Sequence, residues 1–144
     1  MKYLAVLLVS SWLGYAYSCS CIPQSDDQKF CNAEYGVLIK TEDDVKIGGT
    51  YKKIKIKLLE TFKSQAGERK VIEKFLFTNK GGSLCGVDLK ADTYYIVTGY
   101  YADILKAKGK KKKTRMMTGS CNYIKEIKNI TPPTCTAEQT ATLF

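Results

Sequence analysis

The sequence predicts a mainly β domain: a small closed or partly open β-barrel of five or six strands, with short helices near both ends. Three observations favour this fold class. Five or six short segments have the pattern of strands, the turns between them contain glycine, and helix signals lie near the two ends. The chain has 144 residues, and six of them are cysteines. The chain has a formal charge of +9 and no histidine. Because histidine is the commonest general base and zinc ligand, its absence argues against a hydrolytic enzyme and against a structural zinc site.

The start of the chain has the pattern of a secretory leader. Lys2 supplies the basic start, Tyr3–Leu13 the apolar stretch, and Ser18 the last small residue before a cut. We therefore expect residues 1–18 to be a signal peptide and residues 19–144 to form a single secreted domain. An even number of cysteines in an oxidising compartment favours three disulfides, and the residues alone leave their pairing open.

Cleavage after Ser18 would make Cys19 the first residue, with a free α-amino group. That amine and the carbonyl oxygen of the same residue can close a five-membered chelate ring on a metal, and the reference pKa of an α-amine is about 7.7–8.0. Catalytic zinc sites keep one position open, so a chain end held there would block an enzyme. Cleavage after Ala16 satisfies the same rule and would remove the chelating amine.

Two segments near the chain ends predict short helices. Ser25 to Gln28 has the form of a capping box, which predicts a helix from about Asp26 to Asn32 that delivers Cys31 to the core. A second possible capping box predicts a helix over Thr136–Thr142.

The strands are predicted from alternation and from β-branched and aromatic content. A polar, acidic stretch from Thr41 to Thr50 predicts a loop after the first strand, and a short turn predicts that the second and third strands form a hairpin. Gly99 predicts a bend or bulge. The predicted strands are Tyr35–Lys40, Tyr51–Thr61, Val71–Thr78, Thr93–Tyr101 and a final short strand within Arg115–Ser120.

Two loop features each have a structural and a functional interpretation. The glycine-bearing loop Lys80–Cys85 is either a connector that carries its cysteine or a contact surface. The basic run is either a solvated hairpin tip or a surface for heparin-like polyanions. Its candidate binding residues are Lys106, Lys108, Lys110, Lys111, Lys112, Lys113 and Arg115. Asn129 begins an Asn-Ile-Thr glycosylation acceptor.

Five motifs together resemble one family. They are Cys19-Ser20-Cys21-Ile22-Pro23, Phe30-Cys31-Asn32, Leu84-Cys85-Gly86, Tyr95-Ile96-Val97-Thr98-Gly99 and Cys121-Asn122-Tyr123-Ile124. In this order they resemble the N-terminal, netrin-like domain of the tissue inhibitors of metalloproteinases. The resemblance spans most of Cys19 to Cys135.

The resemblance implies an OB-like barrel and a secreted inhibitor of zinc metalloproteinases. It implies that Cys19 contacts the zinc of the target enzyme, with no cofactor belonging to the chain itself. It also implies the disulfides Cys19–Cys85, Cys21–Cys121 and Cys31–Cys135. The inhibitory ridge it implies consists of Cys19, Ser20, Cys21, Ile22, Pro23, Ser83, Leu84 and Cys85.

The same barrel and cysteine framework also resemble netrin-like modules of matrix and complement proteins, which mostly do not inhibit proteases. The alternative function is therefore a secreted module that binds matrix or polyanions through the basic run. The two functions differ in whether Cys19 is the first mature residue. Partners of either kind are extracellular, and we expect neither nucleic acid nor a membrane span.

Overall fold

The secondary structure consists of one short α-helix, one 3₁₀ helix and six strands in the described part of the chain. The structure is a computed structural model, and it describes residues 19–46, 49–104, 113–128 and 132–135. The elements are α1 (Asp26–Cys31), β1 (Tyr35–Lys46), β2 (Tyr51–Ser64), β3 (Val71–Asn79), the 3₁₀ helix Gly82–Leu84, β4 (Tyr94–Ile104), β5 (Lys113–Met117) and β6 (Ile124–Glu126).

The strands form a closed five-stranded barrel with one additional strand. Their order is β1-β2-β3-β5-β4-β6, and β1 also pairs with β4, which closes the ring. The β3–β5 pair is parallel and the other pairs are antiparallel. Strand β6 lies outside the ring, on β4. The predicted mainly β barrel is thereby confirmed.

The prediction of a loop over Thr41–Thr50 is partly wrong, because β1 continues through residues 41–46. The side chain of Thr41 is 1% exposed and its hydroxyl donates to the carbonyl oxygen of Lys90 at 2.5 Å. The backbone N–H of Thr41 also donates to the carbonyl oxygen of Thr93. These contacts satisfy the polar groups of Thr41, and pairing with β2 continues along the strand.

The last part of the barrel also differs from the prediction. The strand expected within Arg115–Ser120 begins earlier, at Lys113, and ends at Met117. A further strand, Ile124–Glu126, was not predicted. It is three residues long, too short for an alternating pattern to be recognised.

The predicted helix near the start is confirmed as α1. Ser25 caps it: the Ser25 hydroxyl accepts from the backbone N–H of Gln28, and the Gln28 side chain accepts from the N–H of Ser25. Phe30 packs edge-on against Tyr123, with 5.7 Å between ring centres. The helix thus covers one outer face of the barrel and buries Cys31 there. The helix predicted over Thr136–Thr142 lies outside the described residues.

The hydrophobic core has two parts. The barrel interior is filled by inward-facing residues of β1 to β5 and by one loop leucine: Tyr35, Val37, Ile39, Ile54, Ile56, Leu76, Leu89, Tyr95, Val97 and Met116. The second part lies beneath α1 and consists of Phe30, Cys31, Ile96 and Tyr123. Burial of these side chains supplies the main free energy of folding.

Gly99 is required by a close approach and not by a bulge. The β1–β4 register runs regularly to the Tyr35–Gly99 pair. A Cβ atom at Gly99 would lie 1.9 Å from the carbonyl oxygen of Met117 and 2.6 Å from the hydroxyl of Tyr35. That hydroxyl donates a buried hydrogen bond of 2.8 Å to the same Met117 carbonyl. No side chain fits where these three residues meet.

Among the described residues, no helix has the length and apolar character needed to cross a bilayer.

Candidate functional site

The site consists of two exposed segments joined by a disulfide, Cys19–Pro23 and Ser83–Cys85, which we call the ridge. Residues 19–25 have no regular secondary structure, so nothing local fixes their path. Disulfides fix it instead. Cys19 is bonded to Cys85 with 5.1 Å between Cα atoms, and Cys21 is bonded to Cys121 with 5.3 Å.

A third disulfide anchors the last residue of α1. Cys31 is bonded to Cys135, with 5.5 Å between Cα atoms. The three pairs are those that the family resemblance implies. They close loops with sequence separations of 66, 100 and 104 residues. In the chain-entropy model such long loops stabilise the folded state by roughly 4–5 kcal/mol each, before strain is subtracted.

The second segment of the ridge is a tight turn. The 3₁₀ helix Gly82–Leu84 lies between two residues with positive φ, Gly81 at +80° and Cys85 at +58°. The carbonyl oxygen of Gly81 accepts hydrogen bonds from the backbone N–H groups of Leu84 and Gly86. The left-handed backbone at Cys85 is uncommon for a residue with a side chain, and here the disulfide holds it.

A third backbone segment, Gly119–Cys121, supports the ridge from behind. The N–H of Ser120 donates to the carbonyl oxygen of Cys85 at 2.9 Å. The hydroxyl of Ser120 lies 3.4 Å from the sulfur of Cys19. A Cβ atom at Gly119 would lie 2.6 Å from the same Cys85 carbonyl, so a side chain there would displace the turn.

The ridge exposes apolar side chains to solvent. Ile22 is 80% exposed and Leu84 is 49% exposed. Ser20, Pro23 and Ser83 are exposed as well. A segment whose backbone is already fixed loses little conformational freedom when a partner binds its exposed side chains.

Sequence reasoning missed two residues that shape this site. The side-chain amide of Asn79 donates to the carbonyl oxygen of Leu84 at 2.7 Å. Ser120 makes the contacts with Cys85 and Cys19 described above. The only sequence signal for Ser120 is its place directly before Cys121. The only signal for Asn79 is its place directly after the predicted strand Val71–Thr78.

The cysteine cluster has the compactness of a metal site but not its chemistry. The sulfur atoms of Cys19, Cys21 and Cys121 lie within 4.8 Å of one another. Metal ligation by cysteine requires a thiolate, and all three sulfurs are in disulfides. The arrangement therefore serves to fix the backbone of the ridge.

An ion pair connects α1 to β6. The Lys125 ammonium lies 2.5 Å from the Asp26 carboxylate. The hydrogen bond from Lys125 lowers the pKa of Asp26, and the bond to Asp26 raises the pKa of Lys125. Both side chains are substantially exposed, so the pair contributes little to stability.

The two residues of the basic run that the structure describes, Lys113 and Arg115, are not part of the ridge. Lys106, Lys108, Lys110, Lys111 and Lys112 lie outside the described residues, as does Asn129. Lys113 and Arg115 belong to β5 on the barrel wall. The Arg115 guanidinium lies over two aromatic rings, 5.4 Å from the ring centre of Tyr51 and 5.2 Å from that of Phe77.

Comparison with known proteins identifies relatives of this chain. The family model described as "Tissue inhibitor of metalloproteinase" matches residues 17–140. A Drosophila melanogaster protein named "Tissue inhibitor of metalloproteinase" is 30% identical over 136 residues, which cover 89% of this chain and 57% of that protein. The human and rat proteins named "Metalloproteinase inhibitor 2" are each 32% identical over 107 residues, covering 67% of this chain and 47% of theirs. The chain thus spans about half the length of the curated relatives it matches.

Proposed function

Because this chain belongs to the tissue inhibitor of metalloproteinase family, we propose that it is a secreted inhibitor of zinc metalloproteinases and not an enzyme. The named relatives are inhibitors, and they support the class of target. The absence of histidine from the full sequence fits the same proposal, since a hydrolase would lack its commonest general base. The signal peptide 1–18 and the single domain 19–144 are part of the proposal.

The observation that carries the proposal is the double anchoring of the first two cysteines. Cys19 and Cys21 are separated by one residue, yet each is tied to a different backbone segment, at Cys85 and Cys121. A chain end held in this way loses little conformational freedom when it enters a cleft. A merely structural role for the disulfides would not require both to converge on the first residues of the domain.

The proposed mechanism uses the backbone of Cys19. In this proposal the leader is cleaved after Ser18, and the α-amine and carbonyl oxygen of Cys19 then ligate the target's catalytic zinc and displace its bound water. The amine ligates only when it is unprotonated, which its reference pKa of about 7.7–8.0 allows near neutral pH. A residue left before Cys19 would convert the amine to an amide and remove this ligand.

The remaining ridge residues occupy the substrate groove in this proposal. The Ser20 side chain points into the main specificity pocket, where its small size predicts broad inhibition. Cys21–Pro23 continue along the groove, and the fixed φ of proline lowers the ordering cost. Ser83 and Leu84 contact the enzyme from the other side of the Cys19–Cys85 bridge. Their exposure is compatible with these contacts.

The test is an inhibition assay on material whose N-terminus is known. The full chain is secreted from a eukaryotic host, its mass is measured, and it is titrated against a panel of zinc endopeptidases with a serine endopeptidase as the class control. We expect inhibition of zinc enzymes alone, lost after reduction and alkylation. Ser20→Gly should change the order of potency across the panel. A protein that starts at Cys19, has three disulfides and inhibits no zinc endopeptidase would refute the proposal.

A further inference from the structure

Strands β2 and β3 form a hairpin whose pairing stops well before its turn. The register ends at the pair Lys55–Phe75. Continued in the same register, residues 56–59 would pair with residues 71–74. No such pairs form between these two described ranges. At this end β3 pairs with β5 instead, through Val71 and Ile72, and the β3–β5 register is interrupted between Ile72 and Leu76.

A cleft occupies the opening between the two strands, and we call it the wedge. It has a volume of about 450 Å³ and is lined by residues 55–58 of β2, residues 73–75 of β3 and Glu42. A second cleft of about 300 Å³ continues along residues 70–74. Ile56 belongs to the buried core and Leu58 packs against it, so the wedge has an apolar floor.

The walls of the wedge are strand edges. Strand β2 pairs with β1 on its other side throughout this stretch. Its edge facing the wedge therefore presents backbone N–H and C=O groups that pair with no described strand from residue 56 onward. Such an edge binds an extended chain by adding it as a further strand, and the backbone hydrogen bonds supply the affinity.

The charge around the wedge selects the partner. Lysines outnumber glutamates among the residues that line the two clefts. The lysines are Lys55, Lys57, Lys70, Lys74 and Lys113, and the glutamates are Glu42 and Glu73. One of these lysines, Lys55, is paired with Glu42 at 2.8 Å. The excess of positive charge favours an acidic segment, and the apolar floor favours aliphatic residues at alternate positions.

We propose that the wedge is a docking site for an extended acidic peptide segment of another protein, in which acidic and aliphatic residues alternate. The segment adds to the edge of β2. Its aliphatic side chains face Ile56 and Leu58, and its carboxylates face Lys57 and Lys74.

The wedge is separate from the ridge. Asn79, at one end of β3, contacts the ridge turn, whereas residues 71–74 form the other end of the strand. Five to eight residues of strand span roughly 16–26 Å. Peptide binding at the wedge and inhibition at the ridge can therefore be measured independently, and failure of one does not imply failure of the other.

The test uses the full disulfide-bonded chain, labelled with ¹⁵N, and a capped heptapeptide in which glutamate and valine alternate. We expect saturable amide shifts in residues 56–59 and 71–74. The matched peptide has the same side chains but an N-methyl group on every backbone nitrogen, and it should not bind because it has no backbone N–H donor. Lys57→Glu with Lys74→Glu should weaken binding about tenfold, and the exposed control Lys128→Glu should change it less than about twofold.

Three outcomes would overturn the proposal. Equal binding of the N-methylated peptide would mean that charge alone attracts it. Binding of a heparin fragment at these residues, with no binding of the heptapeptide, would identify a polyanion surface. Absence of shifts in the two strand segments at saturating peptide would mean that no strand is added.

Discussion

The side-chain amide of Asn79 donates a hydrogen bond of 2.7 Å to the carbonyl oxygen of Leu84, which ties the end of β3 to the exposed turn of the ridge. The same two segments approach closely at a second point. A Cβ atom at Gly86 would lie 2.1 Å from the carbonyl oxygen of Asn79. The barrel wall thus holds the turn in place, and Asn79 is a positioning residue for Ser83 and Leu84.

Asn79→Ala should weaken inhibition of a zinc endopeptidase by about 2- to 12-fold, since a hydrogen bond contributes about 0.5–1.5 kcal/mol. The turn would still form, but Leu84 would be less firmly oriented. The inhibition constant measures the effect. Asn32→Ala, at the exposed end of α1, is the control and should leave it unchanged. Equal inhibition constants for Asn79→Ala and the parent would show that the bond does not position the turn.

Gly99→Ala should destabilise the fold by about 2–4 kcal/mol, because the added Cβ cannot fit between Met117 and Tyr35 without moving backbone. Urea unfolding gives the free energy of unfolding. Gly82→Ala is the matched control, since a Cβ there meets no atom within 4 Å. Its cost should stay within about 0.5 kcal/mol. Similar costs at the two positions would contradict the close approach.

Acid should weaken the ion pair between Asp26 of α1 and Lys125 of β6. The hydrogen bond from Lys125 lowers the pKa of Asp26 below its reference value of 3.8 in the folded state. The carboxylate therefore stabilises the fold above its unfolded pKa, and this contribution disappears as the pH falls through the lower, folded value. As the pH falls from about 6 to below 3.8, the small thermal-stability difference between parent and Asp26→Asn should shrink towards zero. Asp27→Asn, in the same helical turn, is the control; a pH-independent difference for Asp26→Asn would refute the linkage.

Polyanion binding by the basic run stays a prediction from the sequence. Replacing Lys110, Lys111, Lys112 and Lys113 with alanine should lower the salt concentration needed for elution from heparin, since these charges would no longer contribute. The matched control replaces four lysines elsewhere: Lys29, Lys70, Lys80 and Lys128. If both variants elute together, net charge explains retention and the run is a solvated tip.

Local sequence features predicted much of the fold. The capping box at Ser25 and Gln28 places α1 because a helix start depends on a few neighbouring residues. The alternation in β2 likewise identifies a half-buried strand. The continuation of β1 beyond Lys40 was not predicted because the polar groups of Thr41 and Glu42 have distant partners, Lys90 and Thr93 for Thr41 and Lys55 for Glu42, that no local pattern reveals.

The site was predicted only where a motif carries it. The five residues Cys19–Pro23 stand out in the sequence, and the family resemblance supplied a disulfide pairing that the residues alone leave open. Asn79 and Ser120 could not be found in this way. Their roles depend on contacts with Leu84 and Cys85 that arise only once the barrel closes.

The central claim is that the free amino end of Cys19 blocks a zinc centre. The most direct measurement compares two secreted proteins that differ by one alanine placed before Cys19, each checked by intact mass and for three disulfides. The inhibition constant for one zinc endopeptidase is measured for both. We expect the protein that begins at Cys19 to inhibit and the extended one to lose at least about a hundredfold in affinity, as expected for loss of a metal ligand. Equal inhibition by the two would contradict chelation by the α-amine.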